Sequence, residues 1–153
     1  MNSRAGVNLA EVREAPRFDE SEQEFLFPAG LLGFGACRHY SLQPFKPGDG
    51  TDSPFFMLHA VDQDLTFPLI HPASLALDYR YPITPDLLTG LGATSAQDLV
   101  PLLIVTVRER LEDITVNLKG PLIINPKKGL GLQMVIEQYE LHHRLLTRVE
   151  PSV

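Results

Sequence analysis

Near its C-terminal end the chain reads Ile114-Thr115-Val116-Asn117-Leu118-Lys119-Gly120-Pro121-Leu122-Ile123-Ile124-Asn125. Two runs of branched apolar residues flank a Lys-Gly-Pro turn, and this pattern predicts strands over Ile114–Leu118 and Leu122–Ile124. The preceding run, Leu99–Val107, is apolar without alternation and suits a strand that is buried on both faces. This part of the chain therefore predicts a β-sheet with a fully covered central strand.

Further toward the N-terminus, Phe55–Val61 and Leu65–Ile70 predict a hairpin around the turn Asp62-Gln63-Asp64. Pro68 has no N–H, so the second strand should lie at an edge or a bulge there. Thr84–Gly92 has the cap, the proline and the glycines of a short helix, and residues 94–98 could add one turn. With about seven short strands, we expect a mainly β, single-domain antiparallel β-barrel-like fold with one or two short helices.

The expected domain organisation has three parts. Residues 1–17 are predicted to be an N-terminal tail or edge segment, 18–146 the barrel domain, and 147–153 a C-terminal tail. The length of 153 residues favours one domain with a core that needs no staples.

The formal charge of −6 opposes direct nucleic-acid binding, because such surfaces cluster Lys and Arg to displace phosphate counterions. The same charge would speed encounter with a basic protein partner. Three acidic segments, at Asp19–Glu24, Asp62/Asp64 and Glu109–Asp113, would form an acidic rim if their turns shared one end of the barrel.

Cys37 is the single cysteine, so no internal disulfide can form, and a reducing compartment is expected. No stretch approaches the ~20 apolar residues of a membrane span, and the N-terminal residues lack the apolar run of a secretory signal. We therefore expect a cytoplasmic protein without membrane contact.

Candidate chemistry is sparse. The Asp62-Gln63-Asp64 turn starts like a calcium loop, but Phe67 stands where that loop needs Gly and Ala73 where it needs Glu. A metal site would need three or four convergent ligands, and no cofactor is expected. The alternative that stays open is a small β-barrel enzyme that uses Cys37 with His39, or His59 with His71.

Several motifs resemble those of the flagellar assembly factor (FliW) family in the same order along the chain. Residues 27–34 (Phe-Pro-Ala-Gly-Leu-Leu-Gly-Phe) are similar to its opening Phe-Pro-x-Gly-x-x-Gly-Phe, and residues 54–62 to its Pro-Phe-x-x-Leu-x-Ser-x-Asp strand. Residues 115–125 resemble its Thr-Val-Asn-Leu-x-Ala-Pro-Ile-x-Ile-Asn signature, with Gly120 in place of Ala. The resemblance covers roughly residues 18–146. One departure is Gly35, where the family usually has an acidic residue.

The resemblance implies a barrel of eight or a similar number of strands, no catalysis, and two competing partners. These are flagellin and the translational regulator CsrA, which family members keep from repressing flagellin messenger RNA. We expect a monomer whose partner surface includes five residues: Asp62, Asp64, Phe67, Asn117 and Lys119. For Asn117 and Asn125 we favour a structural role in turns and bulges.

Overall fold

The computed structural model describes residues 8–12, 22–49 and 53–145. Within these ranges the chain forms eleven strands, one α-helix and three short 3-10 helices, at Pro72–Leu75, Ala96–Asp98 and Leu111–Asp113. The remaining elements are, in chain order, β1 (Asn8–Val12), β2 (Gln23–Leu26), β3 (His39–Pro44), β4 (Phe55–Ala60), β5 (Thr66–Ile70), β6 (Tyr79–Ile83), α1 (Pro85–Gly90), β7 (Val100–Thr106), β8 (Thr115–Val116), β9 (Leu122–Asn125), β10 (Leu130–Gln133) and β11 (His143–Arg144).

Seven of the strands close into a barrel. Their order is β7-β5-β4-β3-β2-β10-β9, and β9 pairs with β7 to complete the circle. Neighbours run antiparallel apart from β2 and β10, which are parallel. Closure pairs the backbone groups that a flat sheet would leave at its edges. The prediction of a mainly β, barrel-like fold with short helices is thus confirmed.

The central strand β7 separates two hydrophobic cores, as its continuous apolar sequence predicted. Val100 and Leu102 pack inside the barrel, whereas Leu103 and Val105 pack in a second core on its outer side. Successive side chains of a strand point to opposite faces, so a strand with a core on each face must be apolar throughout.

Strand β6 and helix α1, which lie between β5 and β7 in the chain, supply side chains to the outer core. Strand β6 alternates strictly, with Tyr79, Tyr81 and Ile83 buried, and pairs with β1 in a two-stranded ribbon. The predicted helix forms as α1, where the Thr84 hydroxyl accepts a hydrogen bond from the Leu87 amide at 3.1 Å. No helix among the described residues has the length and hydropathy of a transmembrane segment.

The strand predictions differ from the structure in number and length. The expected strand over Ile114–Leu118 forms ladder pairs only at Thr115 and Val116, because the Asn117 side chain accepts from the next amides and turns the chain. The described residues contain eleven strands instead of about seven. Residues 1–17 include β1, and the predicted tail at 147–153 lies outside the described residues.

Candidate partner-binding surface

Strand directions bring the predicted partner residues to one end of the barrel. The loop between β2 and β3 lies beside the turn between β4 and β5, because Leu26 pairs with His39 and Tyr40 with Ala60. This places Asp62 and Asp64 at the end of the barrel where β2 ends.

The turn between β8 and β9 reaches the same end. Strand β10 runs parallel to β2, so its last residue, Gln133, points toward this end, and Gln133 pairs with Leu122 at the start of β9. Residues 117–121 therefore lie there too, and with them Asn117 and Lys119. The register, which sequence could not supply, thus groups all five predicted residues at one end.

The loop after β2 presents apolar side chains at this end. Leu32 is 59% exposed and Phe34 is 40% exposed, and the Phe34 ring meets the Phe67 ring edge-on at a centroid distance of 5.3 Å. The loop depends on Gly30, which has a φ of +69° and where an added Cβ would lie 2.7 Å from the Gly35 Cα. Any side chain at position 30 would therefore force the backbone of this loop to shift.

Gln133 connects this loop to the Asn117 turn. Its side-chain oxygen accepts from the Leu32 amide at 2.8 Å, and its side-chain nitrogen donates to the Gly120 carbonyl at 2.9 Å. The Gly120 amide in turn donates to the Asn117 side-chain oxygen at 2.8 Å. Gln133 was not among the predicted residues, since a single glutamine in a strand carries no signal of such a bridge.

The contacts of Asn117 and Lys119 favour supporting roles. Asn117 accepts from the amides of both Lys119 and Gly120, so its oxygen is used within its own turn. The Lys119 ammonium lies 3.0 Å from the Glu137 carboxylate. Exposed pairs of this kind contribute about 0–1 kcal/mol, and the ion pair offsets the local positive charge.

Asp62 and Asp64 differ from these residues because both are exposed and make no hydrogen bond or ion pair among the described residues. Beside them Val61 is 52% exposed. Two unpaired carboxylates next to apolar side chains form a surface that suits a basic partner with an apolar contact area. We name the residues Leu32, Phe34, Val61, Asp62, Asp64 and Phe67 the barrel-end surface.

The acidic rim forms only in part. The connection at Glu109–Asp113 follows β7 and lies toward the same end as the Asp62 turn, and within it Arg110 pairs with Glu112 at 2.5 Å. The third segment does not join them. Glu22 and Glu24 lie at the start of β2, at the opposite end, and Asp19–Ser21 lie outside the described residues.

The residues of the alternative enzyme differ in burial and in their position along the barrel. Cys37 packs inside the barrel beside Tyr40, whose pKa is raised to about 12 by burial and by the neighbouring thiol, whereas His39 is exposed. Cys37 precedes β3, which begins at His39. The hydroxyl of Tyr40 has no hydrogen-bond partner among the described residues.

His59 and His71 are also apart. His59 lies opposite Thr66 in the hairpin and its ring contacts the Thr66 hydroxyl at 2.7 Å, whereas His71 follows the far end of β5. His71 is buried, its Nδ1 accepts from the Ala73 amide at 3.1 Å, and burial lowers its pKa to about 4. In the described part of the chain, no three His, Cys, Asp or Glu side chains converge as metal ligands would.

Comparison with known proteins decides the family. A family model described as FliW protein matches residues 13–145. The chain belongs to the FliW family. The resemblance seen in the ordered motifs of the sequence is therefore confirmed.

FliW relatives and a solved FliW structure agree with this assignment. The flagellar assembly factor FliW of Natranaerobius thermophilus is 37% identical over 139 residues, covering 86% of this chain and 89% of that protein. The protein of the same name from Borreliella burgdorferi is 32% identical over 130 residues, covering 83% and 96%. A crystal structure of the flagellar assembly factor FliW superposes with a TM-score of 0.72 at 26% identity, covering 91% of this chain and 99% of that one.

Proposed function

We propose that this FliW-family chain is a cytoplasmic regulatory protein of flagellar assembly that binds flagellin and the translational regulator CsrA and catalyses no reaction. The observation that carries the proposal is the barrel-end surface of a FliW-family barrel, where unpaired Asp62 and Asp64 adjoin exposed apolar side chains. A regulator that binds RNA must be basic, so a net charge of −6 favours its approach.

The regulation follows from mass action. Flagellin that accumulates occupies this protein and releases CsrA, which then represses flagellin synthesis; when flagellin is exported, the protein returns to CsrA. We infer that the chain acts as a monomer and contacts neither nucleic acid nor membrane. Apolar contacts at Leu32, Phe34 and Phe67 supply affinity, and the two carboxylates supply association rate.

Size-exclusion chromatography of the purified protein with CsrA and, separately, with monomeric flagellin tests the proposal. Co-elution with each partner is the expected result, and the elution volume of the protein alone reports its oligomeric state. If neither partner co-elutes, the proposed function is wrong.

A charge reversal tests the role of the carboxylates. Replacing both Asp62 and Asp64 by Lys should lower the association rate with CsrA by roughly tenfold at low salt, because long-range attraction sets that rate. The matched control replaces Glu24 and Asp86 by Lys, which changes net charge equally at exposed positions away from the turn. Stopped-flow rates at several salt concentrations measure both. Equal effects of the two double variants would show that only net charge matters.

A further inference from the structure

The single thiol of the chain lies beside a buried hydroxyl, close to the loop that carries Leu32 and Phe34. Tyr40 is fully buried, and its hydroxyl has no hydrogen-bond partner among the described residues. Cys37, three positions earlier, is 8% exposed and packs in the same core inside the barrel. Buried side-chain hydroxyls are nearly always hydrogen-bonded, so an unpaired one beside a reactive atom calls for a physical explanation.

The Tyr40 hydroxyl and the Cys37 sulfur influence each other. Burial is the main cause of the raised pKa of Tyr40, and the charge of the neighbouring thiolate and a side-chain contact with it raise that pKa further, to about 12. The hydroxyl therefore keeps its proton at neutral pH and can donate it in a hydrogen bond. A thiol is a weak acceptor, whereas a thiolate, or an oxygen bound to sulfur, is a stronger one. The hydroxyl thus suits the deprotonated and the oxidised forms of Cys37.

Cys37 occupies the end of the loop that joins β2 to β3. Its amide donates to the Phe34 carbonyl at 3.1 Å, and the Phe27 amide donates to the Arg38 carbonyl at 2.7 Å, so hydrogen bonds fix the backbone next to the thiol. A residue that is only 8% exposed excludes bulky thiol reagents unless the loop opens. Hydrogen peroxide is little larger than water and oxidises thiolates, so it is the class of reagent that suits this position.

Two sets of contacts connect Cys37 with the barrel-end surface. The first is the hydrogen bond from its amide to the Phe34 carbonyl. The second passes through Tyr40, whose ring centroid lies 6.3 Å from that of Phe67, and the Phe67 ring in turn meets the Phe34 ring. The Phe27 ring packs edge-on against Tyr40 at a centroid distance of 5.4 Å. Because protein interiors are close-packed, an atom that is added to the sulfur must displace its neighbours.

We propose that Cys37 is a site of reversible oxidation by hydrogen peroxide, and that the Tyr40 hydroxyl donates a hydrogen bond to the sulfenic acid that forms. The Cys37 thiol first releases its proton. The thiolate sulfur then attacks one peroxide oxygen, so that an S–O bond forms and the O–O bond breaks, and the departing hydroxide takes up a proton to give water. Sulfur is thereby oxidised and the peroxide is reduced.

The return to the thiol needs a reductant from outside the chain. Cys37 is the single cysteine, so the sulfenic acid cannot condense with a second cysteine of the same molecule. One external thiol forms a mixed disulfide with it and releases water, and a second external thiol restores the Cys37 thiol and leaves as part of a small disulfide. While the oxygen is present, the loop that carries Leu32 and Phe34 is displaced, so oxidation alters the barrel-end surface.

Trapping of the sulfenic acid tests the site. The full-length protein is treated with hydrogen peroxide and dimedone, and peptide mass spectrometry locates the dimedone adduct, which is expected at Cys37 in the wild type and absent in Cys37→Ser. Tyr40→Phe keeps the ring and removes the hydroxyl, so the rate of adduct formation should fall about tenfold, as expected for the loss of one hydrogen bond to a charged group. Tyr81→Phe changes a buried tyrosine of the outer core and should react at the wild-type rate.

Absence of the adduct from Cys37 in the folded wild type overturns the proposal. Equal rates for wild type and Tyr40→Phe, with both shown to be folded by circular dichroism, overturn the role of the hydroxyl; in concentrated urea the two rates should become equal.

NMR of the protein oxidised without dimedone reports the effect on the loop. The amide signals of Phe34 and Cys37 should shift, that of Lys127 in the turn after β9 should not, and dithiothreitol should restore all of them. A shift confined to Cys37 overturns the link to the barrel-end surface, and signals that dithiothreitol does not restore overturn reversibility.

Discussion

Replacing Gln133 by Ala should loosen the barrel-end surface, because this side chain makes both hydrogen bonds that tie the Leu32 loop to the Gly120 turn. The bonds are 2.8 Å to the Leu32 amide and 2.9 Å to the Gly120 carbonyl. Each contributes about 1 kcal/mol net, and the buried Gly120 carbonyl loses a partner, so we expect a loss of about 2 kcal/mol in the free energy of unfolding.

Urea denaturation followed by far-UV circular dichroism measures this loss. With a slope near 2 kcal/mol per molar urea, the midpoint should fall by about 1 M while the slope stays unchanged. The matched control is Gln138→Ala, which removes an exposed glutamine whose side chain makes no hydrogen bond among the described residues. Its midpoint should stay within ~0.2 M of wild type, as expected for a surface substitution.

Binding of CsrA by the Gln133→Ala variant tests whether the bridge also matters for recognition. Gln133 holds Leu32, which belongs to the barrel-end surface. The proposed function therefore predicts that the variant binds CsrA more weakly even at temperatures where it remains folded. Equal midpoints for the two glutamine variants would refute the bridging role of Gln133. A lower midpoint with unchanged CsrA binding would show that the Leu32 loop takes no part in recognition.

Two further predictions concern the barrel interior and its pH dependence. Gly131→Ala should lower the free energy of unfolding by about 2 kcal/mol, because the new Cβ would lie 2.5 Å from the buried Phe27 ring. Gly48→Ala is the control and should not destabilise the protein, because the space around Gly48 is open. Thermal melts of the two variants test this difference. His71 stays neutral when folded because burial lowers its pKa to about 4, while the unfolded chain protonates near 6.5. The free energy of unfolding therefore has its full value above pH 6.5 with respect to this group, and it falls by up to about 3 kcal/mol toward pH 4 because the unfolded chain binds the proton first. His71→Asn keeps an acceptor for the Ala73 amide and should flatten that part of a stability–pH profile.

The elements that sequence could predict are those with a strong local pattern. The β4–β5 hairpin, helix α1 with its Thr84 cap and the doubly buried strand β7 all combine a hydrophobic period with punctuation by turn residues. Strand β6 was missed although Tyr79, Tyr81 and Ile83 alternate cleanly, and that signal would have sufficed to find it. Strand β11 has only two residues, too few for any period.

The sequence predicted individual partner-binding residues, which stay predictions, but it could not show how these residues are connected. The acidic turn next to apolar residues indicates Asp62 and Asp64 as candidate contact residues, and the family motif that contains Asn117 indicates that residue. The bridge through Gln133 joins residues about a hundred positions apart in sequence. Such contacts depend on strand register and closure, and neither is a local property.

Sequence alone determined that this chain folds as a β-structure without a disulfide, that it carries net negative charge, and that it resembles the FliW family. These properties depend only on composition and on the order of neighbouring residues. Only the tertiary structure decided that Phe34 meets Phe67 and that Glu22 lies at the other end of the barrel from Asp62. The physical reason is that closing a sheet brings distant strands together in one register, and that register assigns each side chain to the core, to the barrel end or to the outer face.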